Sequence, residues 1–252
     1  SLGCDAIVHS SSSIDSLSQI NNAIESMEYS GFYGSPYESP SLSREQKKSR
    51  LDSMGLILGV SAELSASSNL WCRKYRLDHT RDSDGFYVSE GVFHWSKTKQ
   101  KLDTDPGSIS ITFNAGVPTH ANGIPMKLVD LIASVNEQVG AYGIGRFAAY
   151  DISGKQDRLI EVCEAPAAIA ILLAYRHLET SLLGEEVREK KRTIEKTWIS
   201  EAQEGRWFGV LKGALESFID FAAENVTGTV SFTLHGGTLN VSNIECDDVV
   251  TI

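Results

Sequence analysis

The chain has 252 residues, 22% of them charged and 41% hydrophobic, with a formal net charge of -10. This is the composition of a globular protein with room for one large domain or two small ones. The acidic balance excludes nucleic acid as a main partner, because phosphate binding requires clustered Lys and Arg. No apolar run reaches the roughly 18 residues of a membrane span, so we expect no membrane partner and a cytoplasmic location.

The first sixty residues alternate between strand-like and helical segments. The apolar run at residues 4–9 predicts a buried strand, and a helix is expected from Asp15 or Ser16 to about Met27. The serines at 10–13 allow two interpretations, a phosphate-binding loop or a flexible turn. Since neither Gly nor Lys accompanies these serines, the turn is favoured.

Weaker signals follow up to residue 106. Residues 31–40 predict a short strand and a loop, Ser43 caps a helix that Gly55 ends, and residues 57–60 predict another strand. Residues 61–106 have poor periodicity and many polar side chains. We therefore expect irregular, extended structure there, with binding loops.

The rest of the chain has clear periodic patterns. Ile109, Ile111 and Phe113 alternate with polar residues before an Asn-Ala-Gly turn, which predicts a β-hairpin. Spacings of three and four predict helices at residues 126–139, 167–183, 185–202 and 211–224, followed by a second hairpin at 230–241. The second of these helices is apolar on most faces and should be buried, and the basic residues of the third should lie on a solvated face. This order of elements predicts an α+β fold.

Residues 142–166 link a Gly-x-Gly-Arg turn to two strand-like runs and a helix start. Gly143 and Gly145 permit turns that residues with side chains resist, and Pro166 suits the first turn of a helix. The third glycine of a dinucleotide-binding fingerprint is absent, so the turn alone does not predict a nucleotide site.

The cysteines and histidines suggest no metal site. Cys4, Cys72, Cys163 and Cys246 form no Cys-x-x-Cys pair, and the six histidines are scattered. Zinc sites and disulfide frameworks have closer or paired spacings. The sequence therefore predicts neither.

With these elements in place, the chain resembles the synthetase domain of the argininosuccinate synthase family. The resemblance extends over nearly the whole chain, with matching spacings between its motifs. The motifs are Gly-Cys-Asp-Ala-Ile-Val-His at 3–9, Ser-Arg-Glu-Gln at 43–46, Ser-Ala-Ser-Ser-Asn-Leu at 65–70, Phe-Asn-Ala-Gly-Val-Pro at 113–118, Tyr-Gly-Ile-Gly-Arg at 142–146, Glu-Ala-Pro at 164–166, Gly-Arg-Trp-Phe at 205–208 and Val-Thr-Gly-Thr-Val at 226–230.

The resemblance implies a domain division. Residues 61–252 would form the α+β synthetase and multimerisation domain, an antiparallel or mixed sheet with packed helices. Residues 1–60 would be the remnant of an α/β ATP-binding domain, with its last strands and helices. The family is commonly tetrameric, so we expect a homo-oligomer, either a dimer or a tetramer.

The family's chemistry implies cofactors and partners. Its members join the ureido oxygen of citrulline to AMP by using ATP, and the amine of aspartate then displaces AMP. The family's phosphate loop, Ser-Gly-Gly-x-Asp-Ser, does not occur in this sequence. The resemblance thus implies ATP with Mg²⁺ if a nucleotide-binding half is supplied, small-molecule substrates, and no cofactor for the isolated chain.

Four residues correspond to citrulline contacts of the family. Ser65 keeps a family serine, Lys74 replaces a second serine, Asp151 replaces a glutamate, and Cys163 replaces a tyrosine. Each also has a structural interpretation. The serine and the aspartate suit turns, the lysine suits a solvated loop, and the cysteine suits a packed interior.

The positions that correspond to the aspartate site are degenerate. Ser12 replaces a threonine and Ser16 an asparagine, whereas Leu17 replaces the aspartate of the family. Ile20 replaces an arginine that helps to hold citrulline, and isoleucine cannot supply a bidentate carboxylate contact. The resemblance thus leads to two hypotheses, a ligase half with a diverged pocket and a non-catalytic pseudoenzyme that serves as an oligomeric scaffold or regulatory subunit. We assign no catalytic residue and no metal ligand.

Overall fold

A computed structural model describes residues 5–9, 14–35, 44–56, 65–78, 88–97, 105–151 and 159–246. The chain divides into two compact units, a first unit of residues 1–60 with 189–221 and a second unit of residues 61–188 with 222–252. In chain order the elements are β1 (Ala6–Val8), α1 (Ile14–Ser26), β2 (Phe32–Gly34), α2 (Arg44–Ser53), β3 (Ser65–Ser68), β4 (Arg73–Asp78), a 3₁₀ turn (Glu90–Val92), β5 (Gly107–Asn114), β6 (Val117–Ala121), β7 (Ile124–Pro125), α3 (Leu128–Gly140), β8 (Arg146–Asp151), β9 (Leu159–Glu164), α4 (Pro166–Leu182), α5 (Glu185–Gln203), α6 (Val210–Ala223), β10 (Gly228–His235) and β11 (Thr238–Cys246).

In the first unit, β1 and β2 form a two-stranded parallel sheet. The strand predicted at residues 4–9 is confirmed as β1, but its predicted burial is wrong, since Val8 is 70% exposed. An apolar run indicates burial only when neighbouring elements cover both faces of the strand. Helices α1 and α2 match their predicted positions, and the strand predicted at 57–60 lies outside the described residues.

The charged helix α5 differs from its prediction at one position. Lys191 is 2% exposed and its ammonium contacts Glu195 one turn later, so the solvated face predicted for this run is wrong at that lysine.

Farther along the first unit, Lys212 lies 4.2 Å from the ring centroid of Trp207 and donates hydrogen bonds to Glu216. Buried lysines of this kind require a nearby carboxylate or aromatic face.

The second unit contains a five-stranded antiparallel sheet in the order β11-β10-β5-β6-β7. Helices α3 and α4 pack against each other, and both contact this sheet. The predicted hairpin is confirmed, and its turn places Ala115 and Gly116 at φ 48° and 79°. The side chains that β5 and β10 contribute to the core alternate along each strand, namely Ile109, Ile111, Phe113, Val230, Phe232 and Leu234.

A second sheet, also antiparallel, has the order β3-β4-β9-β8. Irregular structure was expected at residues 61–106. This prediction is wrong at residues 65–68 and 73–78, which form strands β3 and β4. The pattern within the segment is weak because β4, with the sequence Arg-Lys-Tyr-Arg-Leu-Asp, carries charged residues on both of its faces. The antiparallel sheets and packed helices confirm the α+β fold. Within the described ranges, no helix has both the length and the apolar character of a membrane span.

Candidate functional site

The register of the β3-β4-β9-β8 sheet brings four predicted site residues to one side. Paired residues of antiparallel strands share a face, and residues two apart along a strand also share it. Successive rows on this face are Ser67-Lys74-Cys163-Phe147, then Ser65-Arg76-Glu161-Ala149, then Asp78-Leu159-Asp151. The positions of Ser65, Lys74, Asp151 and Cys163 therefore belong to the same face, which we call the Lys74 face.

The two residues predicted for the aspartate site are not part of this sheet. Ser12 lies outside the described residues. Ser16 lies in α1, which belongs to the first unit, whereas the Lys74 face belongs to the second unit.

Lys74 is half exposed and forms an ion pair with Glu161. Its Nζ donates a hydrogen bond to Oε1 of Glu161 at 2.9 Å, with side-chain exposures of 50% and 31%. This hydrogen bond, with the charge of Glu161, raises the pKa of Lys74. No local pattern in the sequence marks Glu161 as a site residue, because its partner lies 87 residues away. The face thus presents an ammonium and a carboxylate side by side.

Cys163 lies directly opposite Lys74 and is half-buried. Burial raises the pKa of its thiol, and the neighbouring Cys72 thiol acts in the same direction, while the positive charge of Lys74 opposes them. On the other side of Cys163, the ring of Phe147 is 52% exposed. Cys163 therefore offers only a weak hydrogen-bonding group, next to the exposed ring of Phe147.

The opposite face of the sheet is organised around Glu164, which is fully buried. Its carboxylate accepts hydrogen bonds from the backbone N–H groups of His94, Trp95 and Ser96 at 2.9–3.0 Å, and from Ser96 Oγ at 2.7 Å. Tyr75 Oη also donates to this carboxylate, at 3.2 Å. A buried carboxylate needs this many donors to offset the cost of desolvation.

Two arginines complete this side, which we call the Glu164 face. Arg73 lies over the Tyr75 ring at 4.1 Å, and its Nη1 is 3.3 Å from Glu164. Burial lowers the pKa of Arg73 and the charge of Glu164 opposes the shift, so the guanidinium stays ionised at neutral pH. Arg146 donates to Ser96 Oγ at 2.8 Å and to Glu90 at 2.7 Å.

The glycine turn before β8 fits closely against the start of α4. Gly145 has φ of 96°, and a Cβ added there would lie 2.5 Å from the backbone nitrogen of Pro166. The Ala165 N–H donates to the carbonyl of Gly145 at 2.8 Å, and Pro166 opens α4 as predicted. This turn therefore requires glycine for both backbone conformation and space.

A cavity of about 360 Å³ lies beside the segment that Glu164 holds. It is lined by Leu70, His94, Trp95, Ala133, Asn136 and Glu137. None of the predicted site residues belongs to this lining. As for metals, no three His, Cys, Asp or Glu side chains come together as a metal site in the part of the chain that the structure describes.

Comparison with known proteins identifies the family of this chain. The family model for the arginosuccinate synthase C-terminal domain matches residues 64–249. The chain belongs to the argininosuccinate synthase family. One curated relative, the argininosuccinate synthase of Haloarcula marismortui, is 32% identical over 217 residues, which are 85% of this chain and 51% of that protein. This member of the family thus spans about half the length of the curated relative that it matches.

In this argininosuccinate synthase family member, residues of the quoted motifs lie on both faces of the sheet, with Ser65 on the Lys74 face. Arg146 and Glu164, both motif residues, belong to the Glu164 face and are hydrogen-bonded there. Lys74 and Cys163, two of the predicted site residues, belong to the Lys74 face. The alternation of a single strand, β9, separates Cys163 from Glu164.

Proposed function

We propose that this chain is the synthetase half of an AMP-forming ligase that joins a ureido or carboxyl substrate to an amine. The substrates would be citrulline or a related acceptor, together with aspartate or another amine. Family membership supports the reaction class. The observation that carries the proposal is the register that gives the positions of Ser65, Lys74, Asp151 and Cys163 a common face.

The Lys74 face would bind the acceptor. Lys74 Nζ offers a charged donor, and Glu161 offers a charged acceptor 2.9 Å away. Such a pair suits a small acid that also carries a donor group, because each charge can exchange its partner for a substrate group. A lysine in place of serine and a cysteine in place of tyrosine would shift the preference from citrulline towards a more anionic acceptor.

ATP would be bound outside the described part of this chain. Since the sequence contains no Ser-Gly-Gly-x-Asp-Ser motif, we assign no residue of this chain to the ATP phosphates or to Mg²⁺. A nucleotide-binding half would supply them, either from the same polypeptide or from another chain, and residues 1–60 would be its remnant. The start of the family match at residue 64 supports a domain boundary near residue 60. The proposed protein is a cytoplasmic dimer or tetramer.

An acceptor screen tests this function. The full-length gene product, with its ATP-binding half, would be assayed for AMP release with aspartate and a panel of ureido and carboxylic acids. We expect acceptor-dependent release that falls at least tenfold in Lys74→Met, while Lys127→Met, a change of an exposed lysine at the start of α3, has no effect. AMP release that is equal in both variants would contradict a role for the Lys74 face.

The second candidate is a non-catalytic scaffold or regulatory subunit. It is favoured by Leu17, Ile20 and Cys163, which are apolar or weakly polar where the family has charged or hydrogen-bonding residues. It predicts no AMP release with any acceptor and an oligomer that persists without substrates. Light scattering of the full-length product, combined with the acceptor screen, separates the two candidates.

A further inference from the structure

Two cysteines that are far apart in sequence meet on the Lys74 face. Lys74 is directly opposite Cys163, and Cys72 precedes Lys74 by two residues, so the two cysteines are diagonal neighbours. Both are free and half-buried, and Cys72 is close enough to Cys163 to raise the pKa of its thiol. Two thiols at diagonal positions on one face of a sheet are a candidate for covalent modification.

We propose that Cys72 and Cys163 form a reversible oxidation site, which a low-molecular-weight disulfide of the glutathione type converts into an intrachain disulfide. The site does not depend on the proposed function of the Lys74 face. Its consequence for acceptor binding does depend on it, because the bond would remove the Cys163 thiol from that face.

The reaction is a pair of thiol–disulfide exchanges. The thiolate of one cysteine attacks a sulfur of the small disulfide, which forms a mixed disulfide and releases one small thiol. The thiolate of the other cysteine then attacks the protein sulfur of this adduct and expels the second small thiol. The protein loses two protons and two electrons, the small disulfide gains them, and one S–S bond replaces another.

The surroundings favour Cys163 as the second thiol to react. Burial raises its pKa, which lowers the thiolate fraction available for a first attack on a reagent from solvent. Once Cys72 carries the adduct, the sulfur to be attacked lies at the position diagonal to Cys163 on the same face. The ammonium of Lys74 stabilises the negative charge that develops on that thiol during the exchange.

The geometry also predicts a bond that is easily reduced. Diagonal neighbours in an antiparallel sheet have Cα atoms about 7–8 Å apart, whereas a relaxed disulfide spans about 4.4–6.8 Å. The turn before β4 must therefore shift when the bond forms. This turn is held mainly by Asn69, whose Oδ1 accepts from the N–H groups of Trp71 and Cys72 at 2.9 Å. Strained disulfides have higher reduction potentials than relaxed ones, which suits a reversible modification.

Thiol counting and peptide mapping test the proposal. The chain would be incubated with oxidised glutathione, quenched in acid, and titrated for thiols under denaturing conditions. We expect Cys72 and Cys163 to lose their thiols, and non-reducing mass spectrometry to identify a peptide that links Cys72 to Cys163. Dithiothreitol should restore all four thiols.

Variants distinguish an intrachain bond from separate adducts. Cys163→Ser and Cys72→Ser should each lose the linked peptide, and Cys72→Ser should react with glutathione more slowly than Cys163→Ser. Cys246→Ser, the matched control, should keep the link. Stable glutathione adducts on both cysteines of the unsubstituted chain, or no loss of their thiols, would overturn the proposal without reference to any variant. Since these readouts need no substrate, they can succeed even if the acceptor screen fails.

Discussion

The two faces of the β3-β4-β9-β8 sheet are made by the same strands but differ in how their polar groups are satisfied. On the Glu164 face, a fully buried carboxylate is surrounded by three backbone N–H groups, two hydroxyls and an arginine. On the Lys74 face, the ion pair of Lys74 and Glu161 is partly exposed, with a half-buried thiol beside it.

This difference predicts that substitutions on the two faces have different costs. A substitution on the Glu164 face leaves several buried groups without partners, which costs folding free energy. A substitution on the Lys74 face leaves groups that water can satisfy, so its effect falls mainly on what the face binds. Matched substitutions on the two faces should therefore differ most in the free energy of unfolding.

The largest effect is expected from Glu164→Ala. The substitution removes the acceptor for the N–H groups of residues 94–96 and leaves the Arg73 charge poorly compensated. The free energy of unfolding should fall by about 3–5 kcal/mol, as measured by urea denaturation followed by circular dichroism. Glu161→Ala, the matched change on the Lys74 face, should cost no more than about 1 kcal/mol. Equal losses in the two variants would remove the contrast between the faces.

A second large effect is expected from Gly145→Ala in the turn that leads into β8. The alanine must adopt the positive φ of this position and fit against the backbone of Pro166. We expect a loss of about 2–4 kcal/mol in the free energy of unfolding. Gly184→Ala is the control, since no atom lies within 4 Å of a Cβ added there. A mild effect at Gly145 would mean that α4 can shift away from the turn.

The hydrophobic parts of the two faces should differ as well. Val162 has no exposed surface and packs with Tyr75 and Ile160, so Val162→Ala should destabilise the chain by about 2 kcal/mol. Its neighbour along β9, Cys163, is half-buried on the other face, and Cys163→Ala should cost less than about 1 kcal/mol. The same urea titration measures both, and a reversed order would contradict the assignment of faces.

The ion pair of Lys74 and Glu161 should contribute a small, pH-dependent stability. A double-mutant cycle with Lys74→Met and Glu161→Gln should give a coupling of about 0.2–1 kcal/mol at pH 7. Because the folded-state pKa of Lys74 is raised, this contribution is fully present below the ordinary lysine pKa of about 10.4. It is lost as the pH rises through the folded-state value. A coupling energy that increases above pH 10.4 would contradict this pH dependence.

The smallest effect concerns the reactivity of Cys163. Since the Lys74 charge lowers the pKa of this thiol against the effect of burial, Lys74→Met should raise it further. Alkylation of Cys163 by iodoacetamide at pH 8 should slow by about two- to threefold, with the pH profile displaced upwards. Lys74→Arg keeps the charge and should leave the rate nearly unchanged. Faster alkylation in Lys74→Met would show that the lysine shields the thiol instead.

Much of the fold follows from local patterns in the sequence. The alternation of Ile109, Ile111 and Phe113 predicts β5, and Pro166 marks the first residue of α4, because these signals depend on neighbours in the chain. The pattern is weakest where β3 and β4 lie. Strand β4 has charged residues on both faces, Arg73 on one and Lys74 on the other, so it lacks the apolar alternation that marks β5.

The candidate site was predicted residue by residue from the family resemblance, and the sequence supplied no geometry for it. Lys74 and Cys163 are named by their correspondence to family positions, whereas Glu161 has no such signal and emerges only as the partner of Lys74. The same is true of the cavity lined by His94 and Trp95, whose walls come from β3–β4, residues 94–95 and α3. Ion pairs and cavities between distant segments depend on register, which a single sequence does not specify.

The family, the α+β class and the positions of the strongly periodic helices and hairpins follow from the sequence, because these depend on composition and near neighbours. Which residues meet depends on the tertiary structure. It directs three backbone N–H groups to Glu164, places Lys74 beside Glu161, and puts Cys72 diagonal to Cys163. The physical reason is that a strand's alternation assigns each residue to one of two faces, while the pairing of β4 with β9 fixes its neighbours on that face.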